Sequence, residues 1–514
     1  MTCWGWRYFL YEVTMPASRG RLVGDPLGAI AILDVRYFVA ICNGEILPIA
    51  DSFAIGQMSW PLQRDWMMLR YTSAQTTPMR LLTTTTNSVP ARVHHGEKVL
   101  LTRRRFIGCS ALACALKSLA WAGDVSQASA GAQTAPQISA RALEIHRRAF
   151  IFDAHVHALD REFYHGGSMG DRWADGQWDL SRAREGGEGA FFLSVYVPEE
   201  YYPSRFETKQ TFRRMDHALR QLQENRSQVE LALNAGDIER IRAKGKMAAV
   251  LDIEGSYDLD GDLGILRDLH GMGLRAAQLS AHNWNQSYAD SCCSVAKSTG
   301  LTNHGRDVIR EMNRLGMMIN VSHSSDATIS QVIDISDGPV IATHHGLRSV
   351  NNIPRNMPDV LLKKLAAKGG IIGFQIGSEF SYPKEYEWLT AQQGKTFFDT
   401  SSIPDRVKGK TIYEVDQLVA PQFPMPGARV PDSVMMTVDD WVGVVDKAIQ
   451  MVGEDYVALG TDFDGGPTLA RGMRDVRDLP MITDAMLRRG YTQERINKFW
   501  GGNLLRFFRQ VSQQ

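Results

Sequence analysis

From Gly131 to Gln514 the chain alternates short, nearly unbroken apolar runs with stretches of helical period. The runs cover residues 150–157, 189–197, 247–255, 274–282, 317–323, 340–344, 370–377 and 456–462. Between them lie amphipathic stretches such as 303–315, which sets Val308, Ile309, Met312 and Leu315 on one helical face. Thr302 or Asn303 can cap its start and Gly316 its end. Residues 238–244, with Asp237 as cap, and 357–368 read the same way. Unbroken apolar runs are the mark of parallel strands buried on both faces. Eight strand–helix units in series predict an α/β fold of the (β/α)8, TIM-barrel type. A doubly wound open sheet is the rival, but no G-x-G-x-x-G follows any run. Residues 379–440 break the rhythm and hold Pro404, Pro421, Pro424, Pro426 and Pro431. They read as an insertion after the seventh strand that covers the barrel mouth.

The N-terminal part is different. Residues 1–98 carry no sustained period. Thr102-Arg103-Arg104-Arg105-Phe106-Ile107-Gly108 then leads into an Ala-rich stretch that reaches Ala122 and contains Lys117. Ala128-Ser129-Ala130 follows. Paired arginines, a weakly apolar core and an A-x-A site resemble a twin-arginine export signal over 99–130. The reading implies transit through the twin-arginine machinery to the periplasm, with membrane anchoring left open. Such a signal works near a chain start, so translation is expected to begin near Met79 or Val99. Residues 1–98 are then an upstream extension or a disordered segment. The rival reading of 102–122 is a basic turn before a short buried helix.

Composition narrows the function. Lys+Arg and Asp+Glu balance at 57 each, which argues against a nucleic-acid binder that needs a basic surplus. Apolar content of 44% excludes a disordered chain, and no uncharged apolar run is long enough for a multi-spanning membrane protein. Of six cysteines only Cys292 and Cys293 follow the proposed cleavage point. Sequence neighbours rarely bridge, so no disulfide framework is expected.

The candidate chemistry is positional. The expected strands end in His155-Val156-His157, Glu254, His282, His323, His344-His345 and Asp462-Phe463-Asp464. Barrels of this type carry their chemistry at the C-terminal strand ends. A lone strand-end histidine is usually structural, but six such endings on one rim are not explained that way. His155 and His157, at i and i+2, share a face and can grip one divalent metal. His344 and His345 point to opposite faces, and spacing does not choose between them. Glu254, alone among histidines, can bridge two metals. A donor set of nitrogen and oxygen without cysteine suits Zn2+. Two ions about 3.5–4 Å apart would hold and acidify a bridging water, presenting hydroxide as a nucleophile. His146, His165, His217 and His270 match no site position and are expected in loops or solvent, and Asp252 is unassigned.

Taken together, residues 139–511 resemble the membrane (renal) dipeptidase family of zinc peptidases. The matching stretches are Asp153-Ala154-His155, Leu251-Asp252-Ile253-Glu254-Gly255, His282-Asn283-Trp284-Asn285, Glu311-Met312-Asn313-Arg314-Leu315-Gly316, Val321-Ser322-His323, Arg355-Asn356-Met357-Pro358-Asp359 and Gly460-Thr461-Asp462-Phe463-Asp464-Gly465. The resemblance implies a (β/α)8 barrel that cleaves dipeptides at a two-zinc centre, in a chain that forms a homodimer. It implies that His155 binds the first zinc, that Glu254 bridges, and that His323 and His344 bind the second. Asp462 would move the proton, His282 would stabilise the oxyanion, and Arg355 would hold the substrate carboxylate, with Arg348 as a nearby competitor. One departure stands out: the family usually has Asp where this chain has His157. Alternatives are another amide, lactone or ester hydrolase on the same centre, or a barrel that binds without catalysing.

Overall fold

The computed structural model describes residues 10–14, 36–42, 45–48 and 138–513, apart from 256–258, 260, 281, 283–287, 295–298, 394–399 and 426. The chain divides into two units, Met1–Lys117 and Ser118–Gln514. In the first, strands Leu10–Thr14, Arg36–Cys42 and Glu45–Pro48 pair antiparallel in that order. The twin-arginine stretch and Ala128-Ser129-Ala130 lie outside the described residues.

The second unit is a nearly closed barrel of eight parallel strands. They are β1 (Ile151–Val156), β2 (Glu188–Val197), β3 (Met247–Gly255), β4 (Leu274–Gln278), β5 (Met318–Asn320), β6 (Ile341–His345), β7 (Ile371–Phe374) and β8 (Val457–Leu459), each beside the next. A short strand, Val229–Leu231, pairs with the start of β3. The ring closes just beyond the strand ends, where Val156 bridges Phe463 and Asp462 N–H donates to His155 O at 2.9 Å. Buried Asp153 seals the same seam, accepting from Thr461 N–H at 2.9 Å and Thr461 O–H at 2.5 Å. The barrel therefore owes its last join to a few backbone and side-chain hydrogen bonds rather than to a full ladder.

Alternation along the strands sorts side chains into two layers. Phe152, Ala190, Phe192, Ala248, Val250, Met318 and Ile341 form an inner cluster. Leu504, Phe507, Phe508 and Val511 from the C-terminal helix Asn503–Val511 pack into it. Each of these large side chains contributes about 1.5–3 kcal/mol by leaving water. The odd-numbered residues of β3 join the outer cluster, under the helices. Asp252 and Glu254 continue the inward parity of Ala248 and Val250, so β3 delivers its carboxylates to the barrel interior.

The helix Asn303–Arg314 forms as predicted, with Thr302 accepting from Gly305 N–H and Val308, Ile309 and Met312 buried. The expected helix at 238–244 starts earlier, at Ala235, because Asn234 rather than Asp237 caps it. Residues 379–440 hold helices Pro383–Gln393, Ile403–Val407 and Ile412–Val419. Ile403, Val407, Ile412, Val415, Val419 and Phe423 pack on Tyr196, Val197 and Tyr201 at the C-terminal end of β2. The segment packs over the C-terminal end of β2 as helices rather than as an open loop.

Several strands are shorter than the apolar runs suggested. β4 stops at Gln278, β5 at Asn320 and β8 at Leu459, so His282, His323 and Asp462 lie in the turns beyond. His323 and Asp462 take positive φ, 62° and 63°, a conformation that side chains other than glycine rarely adopt. Leaving the ladder in this way turns their side chains toward the axis. Cys292 and Cys293 are joined as a disulfide, contrary to expectation. The turn after Ser291 brings the two sulfurs together, and Cys292 N–H donates to His323 O at 2.8 Å.

Candidate metal centre

Seven side chains meet at the C-terminal rim, and Glu254 stands at their centre. Its Oε2 lies 2.5 Å from His155 Nε2 and 2.9 Å from His157 Nε2. Its Oε1 lies 2.8, 3.2 and 3.3 Å from Nε2 of His282, His323 and His344. One carboxylate thus faces two separate sets of imidazoles, one set per oxygen. Asp462 Oδ1 approaches the first set, 3.2 Å from His157 Nε2 and 3.9 Å from His155 Nε2. The convergence predicted from the strand ends is present for every one of these residues.

β1 and the residue just past its end supply both histidines through a local irregularity. Its register against β2 breaks between Asp153 and Val156, so His155 and His157 face the centre although Phe152 and Ala154 already point inward. His344 supplies the β6 imidazole. His345 makes none of these contacts and is buried, its ring kept well below the usual range by that burial. Gly465 is required where it stands: a Cβ there would meet Asp462 Oδ1 at 2.1 Å and the His157 ring at 2.6 Å.

Four of the five outward nitrogens have a polar group beside them. His157 Nδ1 lies 2.8 Å from Asp160 Oδ2, His344 Nδ1 is 3.0 Å from Thr343 Oγ1, and His155 Nδ1 is 3.5 Å from Asp252 Oδ2. His282 Nδ1 is 3.3 Å from both Tyr196 OH and Glu199 Oε1. With Nδ1 of His157, His282 and His344 engaged outward, their Nε2 atoms are left to face Glu254, the arrangement of metal-ligating imidazoles. The donors present fit divalent ions: three groups, His155/His157/Glu254, His155/His344/Asp462 and Glu254/His282/His323, could each hold one. Asp160, Glu199 and Gln375 are supporting residues not singled out by the sequence, and Asp252, which the sequence leaves unassigned, joins them. Asp252 had a readable signal, two residues before Glu254 on the same strand face.

Electrostatics among the protein groups fall into two classes. Burial would lower the imidazoles of His155, His157 and His282, but it is outweighed by Glu254 at His155, by Glu254 and Asp462 at His157, and by Glu199 ahead of Glu254 at His282. They rise to about 9, 10 and 10. Burial wins at His323 and at His344, which falls to about 3. Burial also works to raise Glu254 and Asp462, yet the surrounding imidazoles hold both carboxyls below their ordinary range. Gln375 Nε2 donates to Asp462 Oδ2 at 2.5 Å and fixes its orientation.

Arg355 is 1% exposed. Its Nη2 donates to His344 O at 2.7 Å, while Nε and Nη1 are buried with no hydrogen-bond partner among the described residues. Burial brings it down to about 10, so it stays cationic at neutral pH. Arg348 instead pairs with Asp326 in a partly exposed ion pair and takes no part in the site. Asp464 accepts from the backbone of Gln177 and Trp178 and is a structural anchor. His146 and His217, expected in loops or solvent, are buried in helices, His146 between Thr483 and Gly186 O.

Exposure marks the entrance. The His282 and His323 side chains are 18% and 12% exposed, against 0% for His155 and 2% for His157. Solvent reaches the centre from the second imidazole set.

Comparison with known proteins agrees with this geometry. Residues 139–514 match the family model described as membrane dipeptidase, peptidase family M19. The chain is 31% identical over 344 residues to dipeptidase tcpJ of Claviceps purpurea, covering 65% of this chain and 69% of that protein. It is 27% identical over 343 residues to dipeptidase 3 of Mus musculus, covering 66% and 58%. Among solved structures, the probable dipeptidase PvdM from Pseudomonas aeruginosa shares the fold at TM-score 0.60 and 24% identity, covering 73% of this chain and 98% of that one. A metallopeptidase from Rhodobacter sphaeroides, liganded with a phosphinate mimic of L-Ala-D-Ala, gives TM-score 0.55 at 22% identity, covering 71% and 99%. With the barrel, its rim of imidazoles and a family match across residues 139–514, the chain belongs to the membrane dipeptidase family, the metal-dependent dipeptidases of peptidase family M19.

Proposed function

We propose that the protein hydrolyses dipeptides bearing a free C-terminal carboxylate, at a centre of two divalent ions, zinc being the best fit to the donors. The observation that carries the reading is Glu254, whose two oxygens face different imidazole sets. His155 and His157 would hold one ion with Oε2, and His323 and His344 the other with Oε1. Such a pair supplies an acidified water and a polarised carbonyl.

The protein groups divide the remaining work. Asp462 is ionised and aimed at the first imidazole set, so it can accept the proton of the attacking water and return it to the leaving amine. His282 is kept as an N–H donor by Glu199 and Glu254 and lies at the solvent side, where it can stabilise the oxyanion. Arg355 has two buried donors without partners among the described residues, a fork that suits a substrate carboxylate. A second reading, another amide or ester hydrolase on the same centre, is favoured by His157, an imidazole where the resemblance implies a carboxylate.

The test is metal content measured together with turnover of a dipeptide panel that varies C-terminal stereochemistry and includes carboxylate-blocked substrates. Two ions per chain and a preference for free carboxylates support the proposal. Preferential cleavage of blocked substrates favours the second reading, and a chain that binds no metal defeats both. We further propose export to the periplasm through the twin-arginine machinery, supported by the Arg103–Arg105 stretch and Ala128-Ser129-Ala130. A reporter fused behind residues 99–130 should be exported, and Arg103→Lys with Arg104→Lys should retain it inside the cell.

A further inference from the structure

His157 is the residue in which this chain departs from the pattern it resembles, and its surroundings are built for it. Nε2 faces Glu254 and Asp462, while Nδ1 lies 2.8 Å from Asp160 Oδ2. Asp160 opens the short helix Asp160–His165 and is 1% exposed. Its other oxygen, Oδ1, accepts from Nη2 of Arg214, on the helix Glu207–Glu224. Arg214 is also 1% exposed and lies over the rings of Phe163 and Tyr164, at 4.5 and 5.5 Å. An imidazole, a carboxylate and a guanidinium thus form one buried line leading away from the centre.

Each contact in that line has a fixed direction. A guanidinium only donates, so it fixes the orientation of the Asp160 carboxylate. An ionised carboxylate only accepts, so His157 carries its proton on Nδ1. With an ion bound between His157 and Glu254, Nε2 would then be the nitrogen without a proton, its lone pair free for that ion. We infer that Asp160 is the positioning residue that makes His157 a metal ligand, with Arg214 aiming Asp160 from behind. The inference rests on the two-ion reading above, and it assigns to Asp160 and Arg214 the task of making a neutral imidazole serve where the resemblance implies a carboxylate.

Asp160→Asn tests it in the full chain. Arg214 will keep the amide oxygen, so the amide NH2 will face His157 Nδ1. The ring must then accept there and carry its proton on Nε2, against the ion. In equilibrium dialysis with mass-spectrometric metal analysis, one of two zinc ions should weaken about 10–100-fold, the usual effect of losing such a partner, while the other is unchanged. In a His157→Asp background, where no tautomer matters, adding Asp160→Asn should change either ion by no more than about threefold, as for uncoupled sites. A melting curve of the chelator-treated variants checks that each is folded. If Asp160→Asn does not fold, nitrogen-15 spectra of zinc-loaded wild-type protein give the same answer, with His157 protonated at Nδ1 and bare at Nε2. Unchanged binding, equal weakening of both ions, the same loss in the His157→Asp background, or a proton on Nε2 would each overturn the inference. Wild-type protein holding fewer than two ions would instead overturn the reading beneath it.

Discussion

Glu254→Gln isolates the bridging carboxylate with little change of shape. In the native chain each oxygen serves its own set: Oε2 faces His155 and His157, Oε1 faces His282, His323 and His344. Glutamine offers one oxygen and one NH2, so one set receives a donor aimed where a cation should be. Glu254 is 1% exposed, so the lost charge is that of a buried group. Removing one partner of a buried charge pair costs about 3–5 kcal/mol, which at about 1.4 kcal/mol per tenfold is roughly 10²–10⁴ in affinity. One of two ions should therefore weaken by that factor while the other stays. kcat/KM for a preferred dipeptide should fall by at least the same factor, because both ions act on one reaction. The assay is zinc titration of chelator-treated protein, read by metal analysis alongside steady-state kinetics. Two ions retained, with kcat/KM within about threefold of wild type, a difference of about 0.65 kcal/mol, would refute the bridging role.

Arg355→Ala should raise KM for free dipeptides by about 10–100-fold, the worth of a charge-assisted pair, with a smaller change in kcat and none for carboxylate-blocked substrates. Metal uptake should depend steeply on pH. In chelator-treated protein His155 and His157 hold protons up to about pH 9 and 10, and an ion must displace them, so zinc affinity should rise from pH 7 to pH 9. The same groups set a sign for stability: their folded values exceed the unfolded ~6.5, so their contribution is full below about pH 6.5 and lost as pH climbs through 9–10. Melting temperatures of chelator-treated protein should therefore fall over that window, and a rise would contradict the assignment. Asp153→Ala removes the acceptor that joins β1 to Thr461 and should destabilise the fold by about 2–4 kcal/mol in denaturant titration.

The sequence exposed the parts of this molecule that depend on local pattern. Unbroken apolar runs marked the eight strands, and the polar residues at their ends marked the rim, because side-chain alternation and chain direction are local properties. Strand length was less legible, since β5 and β8 end when the chain leaves the ladder through His323 and Asp462 at positive φ, which apolarity does not encode. The choice of His344 over His345 came from family likeness and is settled spatially by Glu254. Asp160, Glu199 and Gln375 gain their roles only across elements: Asp160 meets Arg214 from a helix 54 residues away, and Gln375 meets Asp462 across 87. The Cys292–Cys293 bond escaped because the usual Cα spacing rule disfavours neighbours, whereas this turn permits it.

The central claim is that one buried carboxylate joins two ions. A crystal structure of the zinc-loaded protein, with anomalous scattering collected at the zinc edge, tests it directly. The account predicts two peaks about 3.5–4 Å apart, one touching Glu254 Oε2 beside His155 and His157, the other touching Oε1 beside His323 and His344. A single peak, or both oxygens of Glu254 on the same ion, would contradict it.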